Sequence, residues 1–248
     1  AVGLPELPAF IATPTAMRIR GLLVAAQRGR MTMGALGPGT SKTITMDDYQ
    51  ASVANVWTAT MKPTTKTLAA MIAEVLRAIG GDGKSGWVRQ MSAQVQTLVA
   101  GKGGLIVIDE ANHLDFESLE EIRAWHDLTG VGICLLGNEE LIALIRGGAR
   151  RHAFARLNSR IAMSHLQDLP LPEDIDMYLD AWGITEETMR HLLMQVGRTP
   201  GNGGLREIRQ LLECACMYAH DDGQALSMRY VHEAIASRST RVIQVKAA

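Results

Sequence analysis

A continuous apolar run, Leu105-Ile106-Val107-Ile108, ends in two adjacent carboxylates, Asp109 and Glu110. Such an unbroken run reads as a strand buried on both faces, as in a parallel sheet covered by helices. Two carboxylates at the end of a buried strand are costly unless a cation or bound water satisfies them. Upstream stands Gly37-Pro38-Gly39-Thr40-Ser41-Lys42-Thr43. Small residues in such a loop let backbone N–H groups turn onto phosphate oxygens. A lysine then reaches the β- and γ-phosphates and a hydroxyl holds Mg²⁺. A helix starting just after the loop adds its positive end. Leu36 and Ser41 stand where the G-x-x-x-x-G-K-[ST] pattern has its two glycines. A positive φ at Ser41 would carry a penalty that glycine avoids.

The flanking pattern fits an alternating α/β domain. Residues 1–15 read as a Pro-dotted linker, and residues 16–28 as a short helix. Strand-like runs follow at Met31–Ala35, Val56–Met61, Leu105–Ile108, Gly132–Leu136 and near Ile161–His165. Helical periods fall between them at 66–79, 85–100 and 115–128, with a short helix from Glu139. Beyond Pro170 and Pro172 the strands stop, and 173–182, 185–196, 205–220 and 228–237 read as helices. The predicted organisation is a linker (1–15), an α/β nucleotide-binding domain (16–168) and a small all-helical domain (169–248).

Composition excludes several classes. Of 248 residues, 47% are apolar and 21% charged, which is the balance of a globular chain and not of a disordered one. No run approaches the length of a membrane span, and the start lacks the basic-then-apolar order of a signal peptide. Three cysteines are too few for a disulfide framework and read as core thiols in a reducing compartment, with a metal site as the lesser alternative. The net charge of −1 conceals asymmetry. Residues 1–107 carry eleven basic residues against five acidic, and Leu141–Gln167 holds five arginines and no acid. A near-neutral chain can therefore present a positive surface.

Three further motifs admit two readings each. Asn138, at the end of the fourth strand, could touch a γ-phosphate or simply cap the next helix. Arg156 and Arg160, four apart, share a helix face as a solvated basic patch or as donors that neutralise transition-state charge in a neighbouring subunit. Arg206, at a helix start after Gly203-Gly204, could reach a nucleotide or be a surface arginine.

Taken in order, these pieces resemble an AAA+ ATPase with a helical lid. The stretches Leu105–Leu114, Gly132–Asn138 and Phe154–Ala162 resemble in particular the phage Mu B-like transposition proteins, as does the Leu4–Pro8 linker. The resemblance runs from residue 4 to about 240 and is most specific over 150–162. It implies a target-DNA-binding ATPase of a transposition system in the cytoplasm of a bacterial host. Such a protein would form a helical filament on double-stranded DNA when ATP is bound, and would recruit and stimulate the transposase. Carried over by position, Lys42 and Thr43 bind phosphate and Mg²⁺, with Gly37, Pro38, Gly39, Thr40 and Ser41 forming the loop. Asp109 supports Mg²⁺, Glu110 is the catalytic carboxylate and Asn138 the first sensor. Arg160, with Arg156 as alternate, is the trans-acting finger, and Arg206 the second sensor. The family's N-terminal helix-turn-helix domain has no counterpart in this sequence. Leu36 and Ser41 depart from the family's loop and put hydrolysis in question.

For DNA, the loop after the second strand offers Lys62, Thr64, Thr65 and Lys66, with Lys84, Arg89 and Lys102 as secondary candidates. Aromatics make up 4% of the chain. That argues against base stacking on single strands and for sequence-independent backbone contact. Two competing readings are a helicase-loader-like or insertion-element helper ATPase, and a degenerate nucleotide-binding assembly module.

Overall fold

The sheet is parallel throughout, with strands in the order β2 (Val56–Thr60), β3 (Leu105–Asp109), β4 (Gly132–Gly137), β1 (Met31–Leu36) and β5 (Ile161–Gln167). The computed structural model describes residues 7–83, 86–146 and 154–238. Its elements are α1 (Pro14–Gln27), β1 (Met31–Leu36), α2 (Lys42–Ser52), β2 (Val56–Thr60), α3 (Leu68–Ala78), α4 (Val88–Val99), β3 (Leu105–Asp109), α5 (Phe116–Thr129), β4 (Gly132–Gly137), α6 (Glu139–Arg146), α7 (Ala155–Arg160), β5 (Ile161–Gln167), α8 (Pro172–Ala181), α9 (Glu187–Gly197), α10 (Gly204–Asp221) and α11 (Met228–Arg238). Short 3-10 turns occupy Pro63–Thr65 and Ala111–His113. Among these described residues no helix is long and apolar enough to cross a membrane.

Strand alternation splits the α/β core into two layers. Ile106 and Ile108 of β3 and Ile133 and Leu135 of β4 face one layer, where α3, α4 and α5 contribute Ile72, Leu76, Val95, Val99, Ile122 and Trp125. Leu105, Val107, Cys134 and Leu136 face the other, against Ile19, Leu22 and Leu23 of α1 and Met46 and Tyr49 of α2. Burial on both faces is why these strands read as unbroken apolar runs. The Cys134 thiol, fully enclosed, is pushed up to about 12 by desolvation.

Element ends follow local chemistry. Asp115 caps α5, its Oδ1 accepting from the Ser118 amide at 2.8 Å, and Gly130 in the left-handed region ends that helix. Two sequence expectations shift. The helix expected from 66 starts at Leu68, because the turn at Pro63–Thr65 and its flanking Lys66 take up the preceding residues. The helix expected from 85 starts at Val88, with Trp87 extended at its cap.

The described residues fall into two compact units. One comprises Thr15–Gly37 and Ser41–Asp168. The other joins the described residues 7–14 and Pro38–Thr40 to residues 169–238. The helical unit has its own core, with Ile175, Leu179, Leu193, Ile208, Leu212 and Val231 fully or nearly fully buried. Pro172 opens α8 and Asp174 accepts from the Leu171 amide at 2.7 Å, a Pro-plus-acid helix start. Within this unit the Leu205 amide donates to the Gly39 carbonyl at 3.0 Å. A Cβ on Gly39 would lie 1.8 Å from the Gly203 carbonyl oxygen, so only glycine fits there.

Candidate functional site

Parallel pairing brings the carboxyl ends of β1, β3 and β4 to one edge of the sheet, the usual place for a ligand in an open α/β fold. Ala35 is in register with Gly137, Thr60 with Asp109, and Ile108 with Leu135. Lys42, the first residue of α2, spans this edge. Its Nζ donates to the carbonyls of Leu36 at 3.1 Å and Gly137 at 3.2 Å, and lies 4.0 Å from Glu110 Oε1. The ammonium thus sits where β1, β4 and the acidic end of β3 converge.

The two departures from the glycine pattern have different physical outcomes. Leu36 belongs to β1 and is fully buried in the core, contributing only its carbonyl to Lys42. No glycine is needed there. Gly37 is the close-approach position instead: a Cβ on it would fall 1.8 Å from the Asp168 carbonyl oxygen. Ser41 does adopt the left-handed conformation, φ 67° and ψ 17°, and its side chain makes no cap hydrogen bond. The turn is backed from the helix, where the Thr45 hydroxyl donates to the Ser41 carbonyl at 2.8 Å.

Asp109 is 7% exposed, and its Oδ1 is buried without a hydrogen-bond partner. Desolvation raises its pKa above the ordinary carboxylate value. The Glu110 charge adds to the rise, and the Glu110 amide and Lys42 oppose it. An orphaned buried carboxylate oxygen suits a site for a hydrated divalent cation. Thr43, exposed on the first turn of α2, supplies the hydroxyl. The residues present therefore fit Mg²⁺ with a nucleoside triphosphate. Glu110 is in the left-handed region, φ 52°, which turns the chain into the Ala111–His113 segment.

Asn138 does what a helix cap does: its Oδ1 accepts from the Glu140 amide at 2.9 Å. That commits the oxygen and leaves the amide NH₂ as the group able to donate to a phosphate or water. Arg160 ends α7 and pairs with Asp127 of α5, Nε to Oδ1 at 2.8 Å, while Arg156 is exposed one turn earlier. Arg206 is exposed on the first turn of α10 in the helical unit.

The basic candidates do not form one group. Lys62, Thr64 and Lys66 are exposed around the turn that follows β2, at the same strand ends as Asp109. Thr65 is a correction. It is 9% exposed, its hydroxyl accepts from the Lys62 amide at 2.7 Å and donates to the Lys62 carbonyl at 3.0 Å, and so it builds the turn from within. Lys102 stands apart from this turn. It precedes β3 at the opposite strand ends, 5.9 Å over the Trp57 ring, and its carbonyl accepts from Asn55. Arg89 is exposed on the first turn of α4, and Lys84 lies outside the described residues.

Sequence reasoning passed over two residues. Trp87 is 79% exposed two residues before Arg89, an aromatic that the low overall aromatic count obscured. Asp127 had no motif to mark it, because its partner Arg160 is distant in sequence. A cavity of about 470 Å³, lined by Pro63, Lys66, His113, Phe116, Leu144 and Phe154, adjoins the Lys62–Lys66 turn.

Comparison with known proteins bears on the family and the fold. A family described as "Mu B transposition protein, C terminal" matches residues 159–237, and an AAA domain family matches residues 37–145. The chain is 32% identical over 232 residues to the ATP-dependent target DNA activator B of Escherichia phage Mu, covering 93% of this chain and 74% of that protein. It is 31% identical over 212 residues to the Mu-like prophage FluMu DNA transposition protein B of Haemophilus influenzae, covering 84% and 73%. Among solved structures, Aeropyrum pernix ORC2 superposes with a TM-score of 0.64 at 16% identity, over 92% of this chain and 67% of that one. Domain III of Thermotoga maritima DnaA gives 0.59 at 16%, over 94% and 98%. These two likenesses concern the fold, which is that of AAA+ ATPases with a C-terminal helical region. On the strength of these two relatives and the C-terminal family match, the chain belongs to the Mu B family of transposition proteins.

Proposed function

We propose that this protein is an ATP-hydrolysing, sequence-independent duplex-DNA-binding factor of a transposition system. In this reading it assembles as a filament on target DNA and recruits the transposase. The observation that carries the nucleotide half is the convergence of Lys42 Nζ, Glu110 Oε1 and the unpartnered Asp109 Oδ1 at one sheet edge. The name of the phage Mu relative, ATP-dependent target DNA activator B, supports the DNA half.

Lys42 leaves its two carbonyl partners to neutralise the β- and γ-phosphates. Thr43 and Asp109 would hold Mg²⁺, which supplies charge neutralisation on the phosphate oxygens when bound. Glu110 orients and polarises the attacking water, and the Asn138 NH₂ donates to the γ-phosphate or that water. Arg160 of a neighbouring copy, with Arg156 as alternate, stabilises the developing charge, and Arg206 acts as the second sensor. Lys62, Thr64 and Lys66 contact DNA phosphates, with Arg89 as a secondary contact.

The test is fluorescence anisotropy with labelled duplex and single-stranded DNA, with and without Mg-ATP, alongside negative-stain imaging of the same samples. Duplex binding that needs ATP, falls steeply with salt and coincides with filaments is the expected result. Binding indifferent to ATP would overturn the reading, and preference for single strands would favour a loader-like ATPase.

A further inference from the structure

The Arg160 guanidinium is already held in place within one chain. Nε donates to Asp127 Oδ1 at 2.8 Å, and Nη2 approaches Oδ2 at 3.5 Å. Asp127 lies in the last turns of α5 and Arg160 closes α7, so the contact ties two elements 33 residues apart. The carboxylate is itself anchored. Arg123, one turn earlier on α5, pairs with Asp127 and also with Glu120 at 3.2 Å. Arg160 and Arg123 together hold the Asp127 carboxyl below its ordinary pKa, so it remains charged across the neutral range.

Three features bear on what this pairing does. The Arg160 side chain is 49% exposed, and exposed ion pairs contribute little to stability. The carboxylate takes the Nε–Nη2 edge of the guanidinium, which leaves the Nη1 edge facing away from it, and a phosphate is recognised through such an edge. A long, flexible side chain is thereby restricted to one orientation, which favours a transition state that must be met in a defined geometry.

We propose that Asp127 is a positioning residue for Arg160, fixing the guanidinium in the orientation in which it meets the nucleotide of a neighbouring copy. The inference rests on the trans-acting reading of Arg160 and extends it to a residue that acts through Arg160.

The test compares wild type, Asp127→Asn, Arg160→Ala and the double variant in DNA-stimulated ATP turnover, with binding of a fluorescent ATP analogue and the thermal midpoint measured in parallel. Arg160→Ala should lose at least ~10³-fold in kcat, as removal of such a finger does. Asp127→Asn should lose roughly tenfold or more in kcat, with analogue affinity and thermal midpoint unchanged, as a misaligned group does. The double variant should be no worse than Arg160→Ala, since Asp127 acts through Arg160. Unchanged turnover in Arg160→Ala would remove the finger reading and this inference with it. A dead Arg160→Ala beside a fully active Asp127→Asn would overturn the positioning role alone, as would a rise in kcat or an additive loss in the double variant. Should Asp127→Asn fail to fold, Arg123→Ala leaves the carboxylate in place but unanchored. A smaller kcat loss at constant analogue affinity is then expected, and no loss overturns the proposal.

Discussion

Ser41 and Glu110 occupy the same left-handed region of backbone space, at φ 67° and 52°, one at the head of α2 and the other just past β3. Neither is glycine, and both belong to the candidate nucleotide site. Strain of this kind persists only where the surroundings over-determine it, and it clusters at functional sites.

Replacing Ser41 with glycine should therefore stabilise the protein. Left-handed backbone costs an L-residue roughly 1–2 kcal/mol, and glycine's looser unfolded chain returns about 0.5–1 kcal/mol of that. The net gain, centred on ~0.75 kcal/mol within a range of roughly 0–1.5 kcal/mol, corresponds to a rise of about 2 °C in the thermal midpoint, at about 2–4 °C per kcal/mol. Ser41→Val, β-branched at positive φ, should lower it instead. Differential scanning calorimetry of the three proteins checks the order; a Ser41→Gly midpoint below wild type would refute the strain argument.

Much of this is legible in the chain itself. The unbroken runs at Leu105–Ile108 and Gly132–Leu136 announce strands buried on both faces, and Lys42-Thr43 with Asp109-Glu110 mark the sheet edge where they meet. What the sequence leaves open depends on neighbours distant in the chain. Leu36 looks like a defect in a motif until β1 is seen to run through it into the core. Thr65 looks like a free hydroxyl until the turn closes on it. Lys102 looks like another basic loop residue, yet strand direction places it at the far end from Lys62. Asp127 carries no local pattern at all, because its meaning comes from Arg160 on another element.

Glu110 and Lys42, 4.0 Å apart, should separate turnover from binding. Glu110→Gln keeps the shape but cannot polarise water, so ATP turnover should fall by about 10²–10⁴-fold with ATP still bound. Lys42→Ala should lose ATP binding itself. Isothermal titration with ATP and a phosphate-release assay distinguish the two; equal loss of affinity in both variants would contradict the assigned roles.

Asp109 predicts a pH-dependent trade between stability and metal response. Its folded pKa is raised by burial, so the folded state holds its proton more tightly than the unfolded chain. Stability from this group is fully present below the unfolded value of about 3.8 and is lost as pH rises through the raised folded value. At neutral pH the ionised carboxylate is thus a cost to the nucleotide-free protein. Asp109→Asn should be the more stable protein without nucleotide at pH 7, and the difference should close as pH falls through the folded pKa. Adding Mg-ATP should reverse the order, because the neutral amide supplies no charge for the cation. Thermal melts from pH 4 to 8, with and without Mg-ATP, provide the measurement; an Asp109→Asn variant stabilised by Mg-ATP as strongly as wild type would contradict the assignment.

The DNA contacts can be sorted by salt dependence. Each lysine that neutralises one phosphate contributes close to one unit to the slope of log K against log [salt]. Lys62 and Lys66 are exposed at the strand ends beside Asp109, whereas Lys102 packs over Trp57 at the opposite ends. Lys62→Ala and Lys66→Ala should each weaken ATP-dependent duplex binding uniformly across sequences and lower the salt slope by about one. Lys102→Ala should leave the slope unchanged and cost about 0.5–1 kcal/mol of stability through the lost cation–π contact. Anisotropy titrations between roughly 50 and 200 mM salt resolve slopes of that size. If Lys102→Ala lowered the slope while Lys62→Ala did not, the DNA surface would lie at the other end of the sheet, away from the nucleotide.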